Sequence, residues 1–260
     1  MYEDMTGKVA LVTGASRGIV AAVARAFRSR GARVAIAARD ADALDQLAGE
    51  IGGSDGHALV IPTDVSDPDA VEKMVEQAVS EFGRLDFACN NAAGGGHPPM
   101  PLAEIPLEGF DSMQAISLRG VFLSLRAEIP AIVRSGGGAI VNMSSTAGLQ
   151  GGLAGYVTAK HGHEGLTKVA ALDYAAQGVR VNAIAPGPIL TDNLIRVGAA
   201  AQQAAGAAMP LQRVGKPDQV GAAVVWLCSD ESSFITGTTL TIDGGKLAGT
   251  PPFEVRAGPR

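Results

Sequence analysis

Tyr156 and Lys160 stand four residues apart in "YVTAKHGHEGL". On a helix that spacing puts both side chains on one face. A tyrosine in water has a pKa near 10 and is a poor base at neutral pH. An ammonium group beside it favours the phenolate and lowers that value. Such a pair can pass a proton to or from an oxygen of a bound molecule. Pairs with this spacing also arise by chance on exposed helices, so spacing alone leaves both readings open. Tyr174 has no such partner in sequence and reads as packing.

A second stretch, "LVTGASRGIV" (Leu11 to Val20), joins an apolar run to a helical pattern through Gly14 and Gly18. In such a turn backbone N–H groups and the positive end of a helix can face a pyrophosphate, and glycines let the backbone come close. The spacing is not the G-x-G-x-x-G fingerprint, and a plain strand-to-helix turn is the other reading. Downstream, "VAIAARD" ends in Ala38 and Arg39. An acidic residue at that strand end would suit a ribose 2′-OH, whereas an arginine suits a 2′-phosphate. Arg17, inside the turn, adds a second cation. Either arginine alone reads equally as a solvated surface group; together they favour NADP(H), with NAD(H) as the alternative.

These residues need a scaffold, and the apolar pattern supplies one. Seven short runs read as strands: "KVALVTG", "ARVAIAA", "HALVIPTD", "LDFACNN", "GGAIVNMSS", "VRVNAIAPG" and "TTLTIDGG". Between them lie helical patterns. One is "IVAAVARAFRSRG"; another is opened by the N-cap Asp67 with Pro68 at the first helical position. Leu107 to Arg134 reads as one long helical region, and "VGAAAQQAAGAAM" as a mobile helical flap. Strands alternating with helices imply a single-domain, Rossmann-like α/β fold. Its doubly wound parallel sheet has about seven strands, with helices on both faces. The expected domain spans residues 1–245. The tail, residues 246–260, is expected to be disordered or docked on a neighbouring subunit.

Bulk properties narrow the function. The 260 residues are 47% hydrophobic and 18% charged, which suits a globular chain with a sizeable core. The net charge of −5 argues against non-specific binding to nucleic acid or to an acidic membrane surface. No apolar run reaches spanning length, and "MYEDMTGK" lacks a signal-peptide core, so a cytoplasmic location follows by default. The two cysteines, Cys89 and Cys228, lie in apolar segments and read as core thiols. The four histidines have no metal-ligand spacing. His161 and His163, two apart, point to different sides of a helix. No metal is expected.

The ordered motifs resemble the short-chain dehydrogenase/reductase family. "TGASRGI" is similar to its cofactor turn, and "NNAAG" to the motif after its fourth strand. "SS…YVTAK" is similar to its catalytic serine and Tyr-x-x-x-Lys, and "RVNAIAPGPILT" and "ITGTTLTIDGG" to its later motifs. The resemblance covers nearly all of Thr6 to Gly245. It implies an NAD(P)(H)-dependent oxidoreductase that reduces a ketone or aldehyde or oxidises a secondary alcohol. Tyr156 would be the general acid/base, Ser145 would bond the same oxygen, and Lys160 would also bond the nicotinamide ribose. It further implies cofactor contacts from Gly14, Ser16, Arg17, Gly18 and Ile19 in the turn. Arg39 would follow at the second strand, with Asp64 and Val65 on the adenine side, and then Asn91, Ala92 and Ala93. Pro186, Gly187, Ile189 and Thr191 would form the nicotinamide-side loop, with the Ile189 backbone bonding the carboxamide. The family is often tetrameric, so a homo-oligomer, tetramer or dimer, is expected. The segments "AEIPAIV" and "KVAALDYAA" either form its contacts or pack on the sheet.

The sequence departs from the family pattern in three places. Val20 replaces the third glycine of the turn. There it either crowds the pyrophosphate, so that glycine would tighten NADPH binding, or is accommodated in the helix. Ser117 stands where the family has an asparagine that helps hold a proton-relay water; a serine hydroxyl reaches less far. Ser145 precedes Tyr156 by a shorter interval than the resemblance leads us to expect, with Ser144 as the alternative hydroxyl. These departures keep two other functions open. One is a cofactor-binding but catalytically silent scaffold or regulator; the other is a 3-oxoacyl-thioester reductase.

Overall fold

The computed structural model describes residues 4–15, 17–52 and 56–249. Ser16 and most of the C-terminal tail (residues 250–260) lie outside the described residues.

Seven strands form one sheet: β1 (Val9–Thr13), β2 (Arg33–Ala38), β3 (Ala58–Pro62), β4 (Phe87–Asn90), β5 (Gly138–Met143), β6 (Val179–Pro186) and β7 (Thr239–Ile242). Their order is β3-β2-β1-β4-β5-β6-β7, and every neighbouring pair is parallel. A sheet covered on both faces needs strands apolar on both sides, which is why β1 reads as an unbroken run. Alternate residues face opposite layers. Ala10 and Val12 pack with Phe27, Leu44 and Val224 in one core cluster. Val9 and Leu11 pack with Met74, Val121 and Ile132 in the other.

The first layer holds α1 (Gly18–Ser29), α2 (Ala41–Glu50) and α9 (Pro217–Cys228). The second holds α3 (Pro68–Phe82), α5 (Gly120–Arg134) and α6 (Ala154–Tyr174). Caps follow the sequence signals. The Asp67 carboxylate accepts from the N–H groups of Asp69 and Ala70 at the start of α3, and Gly83 closes that helix at φ 80°. Cys89 and Cys228 are buried free thiols, and Tyr174 packs against the second cluster.

Two helical expectations are corrected. The region read as one helix from Leu107 to Arg134 is α4 (Leu107–Gln114) and α5, joined by a π turn over Ala115–Arg119. There the Gly120 N–H reaches back five residues to the Ala115 carbonyl. Helical periodicity cannot register one extra residue in a single turn. The flap begins earlier than expected, as α7 (Asp192–Arg196). It breaks at Gly198, at φ 92°, and resumes as α8 (Ala199–Ala207). Among the described residues no helix is long and apolar enough to cross a membrane.

Candidate active site

The strand order reverses between β1 and β4, and in such sheets ligands sit beyond the carboxyl ends of the strands at that point. A cleft of about 750 Å³ opens there, lined by Gly14, Arg17, Arg39, Asp64, Val65, Asn91, Ala92 and Ala93 among others. An adjoining cleft of about 180 Å³ shares Arg17 and Asn91 and adds Gly18, Ile19 and Thr191. The structure therefore brings together most of the expected cofactor residues. Gly14 adopts φ 73°, and a Cβ on it would lie 2.9 Å from the Ala92 Cα, so the turn closes onto the loop after β4 only with glycine. Among the described residues no side chain caps the N-terminus of α1. Its first N–H groups lack helical partners and are free to hold an anion.

Val20 settles differently from the concern raised by its place in the turn. Its side chain is 2% exposed and belongs to the core under α1. At the rim, Arg17 donates to Asp40 at 3.3 Å, while Arg39 is exposed. Asp64 accepts from the Ser66 N–H and hydroxyl at 2.9 and 2.7 Å, and those bonds, aided by Arg39, hold its carboxyl below the usual range.

On the nicotinamide side expected by resemblance, Pro186 ends β6 and the Gly187 N–H donates to the Ile242 carbonyl at 3.0 Å. A Cβ on Gly187 would lie 2.9 Å from the Asp243 Cα. Ile189 bridges to Gly215 through Pro188 and Leu190, which turns its own N–H away from that bridge.

Tyr156, Lys160 and Ser145 meet beyond the end of β5. Lys160 is 2% exposed; its Nζ lies 5.6 Å from the Tyr156 ring centre and donates to the Met143 carbonyl at 2.6 Å. Burial pushes the ammonium down to about 7, opposed by the Glu164 carboxylate. Burial pushes the Tyr156 phenol up, and a bond with the Ser145 hydroxyl partly offsets this. The sequence led us to expect a phenol lowered by the lysine; here burial raises it, and Ser145 is what opposes the rise. The Ser145 hydroxyl also accepts from the Ala147 N–H at 3.2 Å, capping a 3₁₀ turn over Thr146–Gly148. Ser144, the alternative, donates instead to the Lys160 carbonyl at 3.3 Å.

Ser117 lies at the middle of the π turn and is fully buried. Its hydroxyl accepts from the Gly94 N–H at 3.3 Å and contacts Met113 Sδ, and its carbonyl accepts from His163 Nε2. Both of its polar groups are thus engaged by protein. Three contributors escaped the sequence reading: Asp40, His163 and Glu128. His163 was visible in principle, because it follows Lys160 by three residues and so shares its helix face. Glu128 is buried beneath Asn90, which donates to it at 2.8 Å. Nothing in "RAEIPAIV" distinguishes it from a surface glutamate.

A family model described as enoyl-(acyl carrier protein) reductase matches residues 14–246. An A-factor type gamma-butyrolactone 1′-reductase (1S-forming) of Streptomyces virginiae is 41% identical, covering 93% of this chain and 96% of its own. The chain belongs to the short-chain dehydrogenase/reductase family. A cyclohexanol dehydrogenase of Acinetobacter sp. (strain SE19) is 38% identical, covering 94% of this chain and 96% of its own. The crystal structure of a short-chain type dehydrogenase/reductase from Mycobacterium marinum superposes with a TM-score of 0.88 at 37% identity, covering 95% of this chain and 98% of that one. The family's dehydrogenases and reductases use NAD(P)(H). The cleft's size, the glycine contact at Ala92 and the uncapped α1 terminus fit a dinucleotide of that kind.

Proposed function

We propose that this protein is an NADP(H)-preferring oxidoreductase that reduces a ketone or aldehyde, or oxidises a secondary alcohol. The carrying observation is the convergence of Tyr156, Ser145 and Lys160 beyond the end of β5, the strand next to β4 at the sheet's switch point. The bound nicotinamide supplies or accepts the hydride. Tyr156, raised by burial, is protonated at neutral pH and so is a proton donor to a carbonyl oxygen. The Ser145 hydroxyl bonds that same oxygen and orients it. The proton lost from Tyr156 leaves a phenolate, and the nearby Lys160 ammonium stabilises that charge. Arg39 and Arg17, at the rim, supply the cations for a 2′-phosphate. A substrate search starts from ring alcohols and their ketones, in keeping with the names of two relatives.

Exposed apolar side chains on α5 and α6 (Phe122, Val169 and Leu172) support a homo-oligomer. Light scattering at working concentration reads it, and a monomer removes that part of the proposal.

The test of function is turnover with NADPH, NADP⁺, NADH and NAD⁺ over a panel that includes cyclohexanol, cyclohexanone and keto-substituted γ-butyrolactones. Tyr156→Phe is the control. NADP(H)-linked turnover that Tyr156→Phe abolishes supports the reading. Unchanged turnover in that variant sinks the role of Tyr156. Tight NADPH binding without turnover on the whole panel supports a silent binder instead. The description of the matching family model keeps acyl-carrier thioesters as a second substrate class. A large preference for a 3-oxoacyl thioester over free ketones would select it.

A further inference from the structure

His163 is fully buried on α6, one turn beyond Lys160. Its Nε2 faces the Ser117 carbonyl, which can only accept, so Nε2 carries the hydrogen. Its Nδ1 then presents a buried lone pair with no hydrogen-bond partner among the described residues. The imidazole also faces the Met143 carbonyl, the acceptor that holds the Lys160 ammonium. One ring therefore joins the π turn at Ser117 to the shelf on which Lys160 rests.

Four features set this histidine apart from a packing residue. An aliphatic side chain would fill the same space but leave the Ser117 carbonyl unpaired in the interior, and a buried unpaired carbonyl is costly. The ring touches the one irregular turn in the helical region from Leu107 to Arg134, and such turns often sit at functional sites. Lys160 is the charge that acts on it, and Ser117 and Met143 present only carbonyls. On its own helix Glu164 also faces Lys160, and the Thr239 hydroxyl of β7 bonds that carboxylate. Burial and the neighbouring ammonium push the imidazole down to about 3, so at neutral pH it carries no charge. A proton arriving at His163 would have no basic acceptor beyond it, because Nε2 ends on a carbonyl.

We propose that His163 is a positioning residue that acts through Lys160. Bonded to the Ser117 carbonyl, it fixes the interior wall behind the Tyr156–Lys160 pair and gives the Lys160 ammonium an uncharged polar neighbour. This rests on the reading of Tyr156 and Lys160 as the reacting pair.

The test compares His163→Gln, whose amide reaches the Ser117 carbonyl, with His163→Asn, whose amide is one methylene too short. The readouts are kcat and its pH profile in the full-length protein, with KM for NADPH and thermal melting recorded alongside. His163→Asn is expected to lose about tenfold in kcat, the kinetic equivalent of one buried hydrogen bond. The limb of its pH profile that reports Lys160 should move, and KM for NADPH should change little. His163→Gln should recover most of the loss and return that limb towards the wild-type position. A His163→Gln variant as impaired as His163→Asn overturns the proposal, and so does a His163→Asn variant with wild-type kcat and pH profile. Should His163→Asn fail to fold, the outcome for His163→Gln decides alone. Tyr156→Phe separates the two claims: if it leaves turnover intact, the underlying reading fails, and the proposal with it. If it abolishes turnover, the His163 variants judge the positioning role by itself.

Discussion

Arg17 and Asp40 are ion-paired across the mouth of the cleft, Nη2 to Oδ2 at 3.3 Å, with the second Asp40 oxygen accepting from the Ala43 N–H as the N-cap of α2. The pair is largely solvated, with side-chain exposures of 61% and 47%, so it is weak and easily opened. If the cofactor is NADP(H) as proposed, this carboxylate competes with the 2′-phosphate for Arg17. Asp40→Asn keeps the cap, since asparagine caps as well as aspartate. It removes only the charge. NADPH should bind about threefold tighter or more, and NADH about as before; the gain should shrink as salt is raised. Fluorescence titration of both nucleotides at two ionic strengths reads this. An equal change for NADPH and NADH would place Asp40 away from the 2′ position.

Ser144 and Ser145 are neighbours with different duties. Ser144 is buried and its hydroxyl donates to the Lys160 carbonyl, whereas the Ser145 hydroxyl faces the Tyr156 phenol and lowers its value. Ser145→Ala should lower kcat by about a hundredfold, the scale of losing one donor to the reacting oxygen. Ser144→Ala should lower stability by about 1 kcal/mol, with kcat within a few-fold of wild type. Steady-state kinetics and urea unfolding on both variants check the pair. A larger kcat loss in Ser144→Ala would exchange the two roles.

The parts legible in the sequence are those set by local pattern. Val9 to Thr13 could only be a buried strand, and Asp67-Pro68 could only open a helix, so all seven strands and the cap of α3 were readable. Their parallel order followed from the alternation of strands with helices. What escaped depends on tertiary contact. The extra residue at Ala115–Arg119 leaves no trace in a helical pattern. Asp40 lies 23 residues from Arg17, and Glu128 lies 38 from Asn90, so neither pair can be found by spacing. Nor does spacing report that burial raises the Tyr156 phenol. Desolvation depends on everything packed around the ring.

Glu128 is fully buried, and burial pushes its carboxyl up to about 7 against the pull of the Asn90 amide. Asn90 also bonds Asn142, which bonds Thr167, so the acid sits in a polar chain under the ends of β4 and β5. Between the ordinary carboxylate value of about 4.3 and the folded value of about 7, the folded protein holds a proton that the unfolded chain has released. Stability from this group is therefore present at low pH and falls as pH rises through that window. His163 works the other way: its depressed value makes stability fall as pH drops from about 6.5 towards 3. Comparing wild type with Glu128→Gln cancels the histidine. Relative to that variant, wild type should lose on the order of a few kcal/mol between pH 5 and pH 8 in urea unfolding. Parallel pH curves for the two proteins would show that Glu128 does not change charge in that range.

Val20→Gly separates the two readings of the cofactor turn. The turn pattern alone leaves a valine that either crowds the pyrophosphate or is accommodated in the helix. The structure places its side chain in the core with Val12, Ile36 and Val224, on the inward side of α1. Removing it deletes buried hydrocarbon and puts a glycine in the first turn of a helix. The two losses together should cost about 2–4 kcal/mol. Thermal melting should show that drop in stability. NADPH affinity, measured well below the melting transition, should not improve, because the side chain is 2% exposed and packs in the core although the residue borders the smaller cleft. Val20→Ala should fall between wild type and Val20→Gly in stability. If Val20→Gly binds NADPH more tightly at unchanged stability, the side chain does press on the cofactor turn, and its place in the core is not what holds α1.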